Sequence, residues 1–212
     1  MQDTGGVSNR STRFATYFAI VRENYQVDAT TSEGQALVQV SRYAASMLTL
    51  MPDPLTASAF RFPSFDYVDS PFPDGLAAFC FPQPCTINIG TPTFHSVVMT
   101  EGDGNKLFCS CLTLWAPDEN GGADGDVRRV VLVLMSHWPF WSTMQQALLL
   151  LHMYASVDET KGMNSRYPSL GSNFIEAAVQ FLVEEVPVPE AGCASSFTFV
   201  TGRYALQPRL CL

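Results

Sequence analysis

The residues with the most reactive chemistry in this chain are its three histidines and six cysteines. His95, His137 and His152 stand far apart, and none lies in a helical HExxH pair, so they carry no metal-ligand spacing. His152 sits on an apolar helical stretch and reads as a hydrogen-bonded structural histidine. A nucleophile needs a base and an orienting acid beside it. Ser136 and His137 are adjacent on an expected strand, where successive side chains point to opposite faces, so they do not form a triad. A G-x-S-x-G elbow is absent. Cys109 and Cys111 share one face of a strand but have no second Cys or His pair to complete a zinc set. With Cys80 they lie in apolar runs and read as buried free thiols of a reducing compartment, whereas Cys85, Cys193 and Cys211 carry no pattern.

Phosphate and cation chemistry is also missing. Gly102, Gly104, Gly121 and Gly122 lie in acidic turns and lack the Lys-Ser/Thr of a P-loop. Asp103, Asp118, Asp124 and Asp126 miss the calcium-loop spacing and read as solvated loop acids. The remaining Asp and Glu residues form no evident acid/base pair. No cofactor is implied, and the chain reads as a protein that acts by binding.

The composition agrees. Hydrophobic residues make up 47% and aromatics 12% of 212 residues, so a sizeable core is available. Charged residues are only 15%, against roughly 25% in a typical soluble domain, which leaves apolar surface for a partner. The net charge of -8, without a Lys/Arg run, disfavours nucleic acid and anionic membranes. No stretch has signal-peptide or membrane-span length, so a cytoplasmic location, or a peripheral one on membranes through partners, is expected.

The positioning elements follow from periodicity. Residues 1–12 are polar and read as a flexible start. Phe14–Val21 reads as a buried strand. Ala36–Leu50, with Ser32 as cap, carries a helical apolar stripe. Met51–Phe72, broken by Pro52, Pro54, Pro63 and Pro71, is an aromatic-rich connector. Leu76–Phe81, Thr93–Thr100, Leu107–Trp115 and Arg129–Ser136 read as strands, with a hairpin turn at Glu101–Asn105 and a loop over Ala116–Asp126. Pro139 opens a buried helix over Phe140–Tyr154, and a second helix runs over Asn173–Glu185 until Pro187 and Pro189 stop it. A closing hairpin over Phe197–Leu206 turns at Gly202. The expected class is α+β, an antiparallel sheet flanked by helices.

Several of these segments resemble, in order, the DENN family. Phe14-Ala-Thr-Tyr-Phe-Ala-Ile-Val21 looks like the opening strand of its upstream segment, and Arg61–Pro73 like its Pro/Asp-rich connector. Leu76-Ala-Ala-Phe-Cys-Phe-Pro82 is similar to the "FCFP" strand, with Phe79, Cys80, Phe81 and Pro82 as its signature. Phe94, His95 and Thr100 match the following hairpin, and Leu107–Leu112 matches its return strand, with Phe108-Cys109 in place of the usual Tyr-Gly. Ser136, Pro139 and Phe140 match the start of the central segment, with His137 where Arg is usual. Phe181–Gly192, with Pro187 and Pro189, is similar to the turn that follows.

The ordered matches span about residues 14–210. They imply a longin-like lobe over 13–155 and the beginning of a second, truncated lobe over 156–212. They also imply part of a guanine-nucleotide exchange factor for Rab GTPases, a regulator in vesicle trafficking without bond-making chemistry. Its expected partner is a Rab-type GTPase, with a second DENN segment or protein as a further one. The signature residues are expected to be mostly structural. The alternatives are a binding-only longin-like scaffold or an inactive fragment and, more remotely, a small-molecule enzyme. Because the family's module continues into a second lobe, weak exchange by this chain alone is expected. The sequence does not specify the GTPase, its contact residues or the oligomeric state.

Overall fold

The computed structural model describes residues 12–22, 59–81, 91–117, 127–155, 172–188, 199–201 and 204–206. Its centre is a five-stranded antiparallel sheet with helices, an α+β fold. The strands are β1 (Tyr17–Arg22), β2 (Ala59–Phe62), β3 (Thr93–Thr100), β4 (Lys106–Pro117) and β5 (Val127–Ser136), in spatial order β2-β1-β5-β4-β3. β3 to β5 form a meander of consecutive antiparallel neighbours, and β5 then pairs with β1. The helical elements are α1 (Leu76–Cys80), α2 (Trp141–Ala155) and α3 (Ser172–Gln180), the last continued by a π-helical turn, Phe181–Glu185. A separate hairpin, β6 (Phe199–Thr201) and β7 (Tyr204–Leu206), closes the described chain.

β5 occupies the middle of the sheet, and its Val-rich sequence is buried on both faces. Val130, Leu132 and Leu134 face one core, where they meet Phe18 and Ile20 of β1, Leu112 and Leu114 of β4, and helices α2 and α3. Met144, Leu148 and Leu151 recur at helical spacing on α2, and Ile175, Ala178 and Val179 do so on α3. Val131, Val133 and Met135 face the opposite core with Tyr17, Ala19, Leu107, Cys109 and Cys111. That face is covered by Tyr67 and Phe72 of the connector and by Leu76, Cys80 and Phe81 in and just after α1. Residues 12–14 are held beside the end of the π-helical turn. Phe14 N–H donates to Val186 O (3.1 Å), Val188 N–H donates to Thr12 O (2.9 Å), and Arg13 bridges to Pro187.

Most strand expectations hold, with β1, β3, β4, β5 and the closing hairpin where alternation and turn residues place them. The Glu101–Asn105 turn closes with Glu101 N–H to Asn105 O at 2.8 Å, and Gly104 adopts φ 88°, a left-handed conformation that glycine takes without a Cβ clash. The expected strand over Leu76–Phe81 is corrected: Leu76–Cys80 is a short helix. Leu76 and Cys80, four apart, face the sheet, whereas Ala77, Ala78 and Phe79 face solvent. A short apolar run does not distinguish strand from buried helix, and two alanines favour the helix. β2 is a second correction, because a strand forms inside the segment read as an irregular connector. It lies at a sheet edge, where the following Pro63 is tolerated. The expected helix over Ala36–Leu50 and the loop tip 118–126 lie outside the described residues. Among the described residues no helix is long and apolar enough to cross a membrane.

Candidate functional site

The surface with the most unusual construction is the connector that runs from β2 to α1 across the second face of the sheet. Pro and Asp residues prevent regular structure there, so the segment is held by side chains. Tyr17 of β1 is the central post. Its hydroxyl donates to Ser70 O (2.7 Å) and accepts from Tyr67 N–H (2.9 Å). Burial pushes the Tyr17 hydroxyl above its ordinary range, opposed in part by the Tyr67 amide. The Tyr17 ring meets Tyr67 at 5.5 Å and Phe72 edge-on at 5.2 Å.

Two cations brace the outside. The Arg13 guanidinium lies 3.7 Å from the centre of the Tyr67 ring and 3.3 Å from Asp69 Oδ1. Burial raises the Tyr67 hydroxyl, and Arg13 opposes that rise. Arg61 pairs with Asp66, donates to Ser64 O (2.7 Å) and sits 5.0 Å from the Phe72 ring centre.

A polar clasp ties the connector to both neighbouring turns. Ser70 Oγ donates to Glu101 Oε1 at 2.7 Å. His137 Nε2 lies 3.0 Å from the same Ser70 Oγ, and its Nδ1 lies 3.2 Å from Lys106 O and 3.8 Å from Glu101 Oε2. Serine, histidine and carboxylate are thus brought together, but not as in a nucleophilic triad. The serine proton goes to the carboxylate rather than to the imidazole, and Ser70 is completely buried. Sequence reasoning missed this cluster. Its members are 31 and 36 residues apart along the chain, and no local spacing marks them.

On the outside of this layer Phe65 (57% exposed), Val68 (104%) and Phe79 (49%) present apolar side chains to solvent. Phe65 is fixed edge-on against Tyr67 at 5.3 Å. Large apolar side chains displayed on a braced surface are the feature expected of a protein-binding face.

The signature residues fall mainly into packing roles. Cys80 is buried under α1, and Phe81 is half-buried with the Arg129 guanidinium 5.2 Å from its ring centre. Phe79, on the same helix, points outward. Phe94 packs on the helix-covered core, and Thr100 is exposed at the end of β3. His95 Nε2 lies 3.3 Å from Phe79 O, joining β3 to α1, and burial lowers its pKa from 6.5. Ser136 is fully buried; its Oγ donates to Phe14 O (2.6 Å) and accepts from Trp138 N–H (3.1 Å). Phe140 stacks between Phe14 and Trp138, at 6.0 and 6.1 Å, and Pro139 is exposed just before α2. Pro187 is exposed in the bridge to Arg13. Pro82 and Pro189 lie outside the described residues.

The described thiols are inert. Cys80, Cys109 and Cys111 are free and buried. Burial pushes the Cys109 thiol up to about 12, and a hydrogen bond with Cys80 together with burial pushes Cys111 up as well, so both stay protonated at neutral pH. Burial also lowers His152 on α2. Among the described residues no group of three His, Cys, Asp or Glu side chains is placed to hold a metal ion.

No solved structure matches the chain. Residues 58–114, which contain β2, the braced connector, α1, β3 and most of β4, match the family model of the uDENN domain, and this match supports placing that part of the chain in the DENN-domain family.

Proposed function

We propose that this chain is the longin-like part of a guanine-nucleotide exchange factor for Rab-type GTPases, acting in the cytoplasm and reaching vesicle membranes through its partners. The observation that carries the reading is the uDENN match over 58–114, which coincides with the segment that displays Phe65, Val68 and Phe79 on a braced layer. An exchange factor breaks no covalent bond. It binds the nucleotide-free GTPase more tightly than the GDP-loaded form, and this differential affinity drives GDP off. Moving a two-state equilibrium from 1:99 to 99:1 requires a difference of about 5.5 kcal/mol. Exposed aromatic anchors over a rigid layer supply such energy, because little side-chain order is lost when they are covered. The reading needs no cofactor and no reactive side chain of this protein.

The test is binding and release against a panel of Rab GTPases. Tighter capture of the nucleotide-free form, only slow loss of labelled GDP with this chain alone, and weakening of the capture by Phe65→Ala with Val68→Ser are expected. Equal affinity for the free and GDP-loaded forms across the panel overturns the exchange reading. Capture without release points to a binding-only scaffold.

A further inference from the structure

The clasp of Ser70, Glu101 and His137 is one hydrogen short when its imidazole is neutral and its carboxyl ionised. His137 Nδ1 lies 3.2 Å from Lys106 O and 3.8 Å from Glu101 Oε2, both acceptors, so this nitrogen carries a hydrogen. A neutral imidazole then has a bare Nε2. That Nε2 lies 3.0 Å from Ser70 Oγ, and Ser70 Oγ lies 2.7 Å from Glu101 Oε1. Each contact has hydrogen-bond length and needs a hydrogen between its atoms. An ionised carboxylate, one hydroxyl and a bare nitrogen supply one hydrogen for two contacts. Ser70 is fully buried, and the side chains of His137 and Glu101 are only 10% and 7% exposed, so bulk water has little access to the gap.

We propose that one extra proton, shared along Glu101, Ser70 and His137, latches the connector, and that its loss to water as pH rises loosens the face displaying Phe65 and Val68. With Ser70 donating to Glu101, the proton rests on Nε2, and an imidazolium stands beside a carboxylate. With the proton on Glu101, Ser70 donates to Nε2 instead. Both arrangements hold the same number of hydrogens, so the proton belongs to the cluster and not to one residue. Its departure leaves two buried acceptors facing each other, which favours opening.

The path from the latch to the surface is short. Ser70 closes a turn with Tyr67, its N–H donating to Tyr67 O at 3.2 Å, and the exposed Val68 stands in that turn. Phe65 is held edge-on against the Tyr67 ring. Ser70 Oγ ties this turn to the hairpin between β3 and β4. When that tie is released, Tyr17 and Arg13 remain as braces.

The ring meets Glu101 and the Lys106 carbonyl from the β3–β4 turn. The Lys106 side chain and Asp103 in that turn are exposed, and Asp103 is bonded to Asn105. On the connector side stands Asp69, paired with Arg13. On the β1 side stands Tyr17, whose hydroxyl is held by Ser70 O and Tyr67 N–H. An opened clasp has an ordinary imidazole, which gives up its proton at about pH 6.5. The closed clasp binds one proton more above that value, so closure is fully supported below about pH 6.5 and weakens as pH rises. His95 and His152, the other two histidines, are both lowered by burial and change charge on the acid side of that range.

Amide exchange of the 212-residue chain tests this without any partner, so the result is separate from what the face binds. Exchange is expressed as protection factors, which remove the intrinsic effect of pH. Protection over 63–72 is expected to fall about tenfold or more from mildly acidic to alkaline pH, while that of α2 holds. The His137 ring resonance should change over the same range. Glu101→Gln separates the latch from a merely structural contact. Its amide supplies the missing hydrogen to Ser70 Oγ, which then donates to a neutral Nε2. Connector protection in this variant is expected to stay at its acid-side level throughout. Ser70→Ala cuts the clasp and should give weak protection that no longer depends on pH. Protection over 63–72 that is flat with pH in the wild type, that falls equally in Glu101→Gln, or that falls together with α2 overturns the proposal.

Discussion

The two faces of the central sheet are covered in opposite ways. On one, α2 and α3 lay Met144, Leu148, Leu151, Ile175 and Val179 across the even-numbered side chains of β5. Its stability comes from apolar area and close packing, which are non-directional. On the other, a proline-broken connector and one short helix are fixed by named polar contacts: Tyr17 to Ser70 and Tyr67, Ser70 to Glu101 and His137, Arg13 over Tyr67. A helix covers a sheet by periodicity alone. A connector with few backbone bonds of its own requires side chains as struts, and it can therefore hold exposed groups such as Phe65 in place.

The contrast predicts a gradient of mutational effects. Leu132→Ala opens a cavity under the helices and is expected to destabilise by about 2–5 kcal/mol, measured by denaturant unfolding, with loss of protection throughout the sheet. A smaller, local loss would mean that the helices are not integral to the core.

Tyr17→Phe keeps the ring and removes two hydrogen bonds, leaving Tyr67 N–H and Ser70 O without that partner. A loss of about 1–3 kcal/mol is expected, with faster amide exchange confined to 63–72. Uniform exchange across α2 as well would erase the distinction between the faces.

Arg61→Ala removes an ion pair that is largely solvated, and a loss of about 0–1 kcal/mol is expected in the same unfolding measurement. A loss as large as that of Tyr17→Phe would show the outer cations to be structural posts.

The smallest effect concerns pH. His95 takes up a proton at lower pH in the folded chain than at its unfolded value of 6.5. The unfolded chain therefore binds more protons between the two values. The contribution is fully present above about 6.5 and is lost as pH falls through the lowered value. His95→Gln should flatten that part of the profile of melting temperature against pH, and an unchanged profile would remove His95 from the joint between β3 and α1.

The helix-covered face was legible in the sequence, and the connector face was not. Alternation in β1, β4 and β5 and the helical spacing of α2 and α3 are local patterns, and each implies a face to be buried. The hairpin at Glu101–Asn105 was equally local, with Gly104 supplying the left-handed residue. The stretch Leu76–Phe81 was visible as an apolar run but misread as a strand, because six residues do not reveal their period. Ser136 and His137 were correctly denied a shared face, yet His137 acquired a serine and a carboxylate from elsewhere. Those partners approach only when the connector crosses the sheet.

The sequence by itself determined an α+β chain with an antiparallel meander, two helices for one face, and a family resemblance carried by short ordered motifs. Those features depend on neighbours within a few residues, where covalent geometry and side-chain period act directly. Tertiary structure decided that Leu76–Cys80 is a helix, that Ala59–Phe62 is a strand, and that Ser70, Glu101 and His137 meet. It also decided that, among the described strands, β3 lies outermost beside β4. Each depends on groups more than ten residues apart, whose approach is set by which surfaces the rest of the fold leaves uncovered.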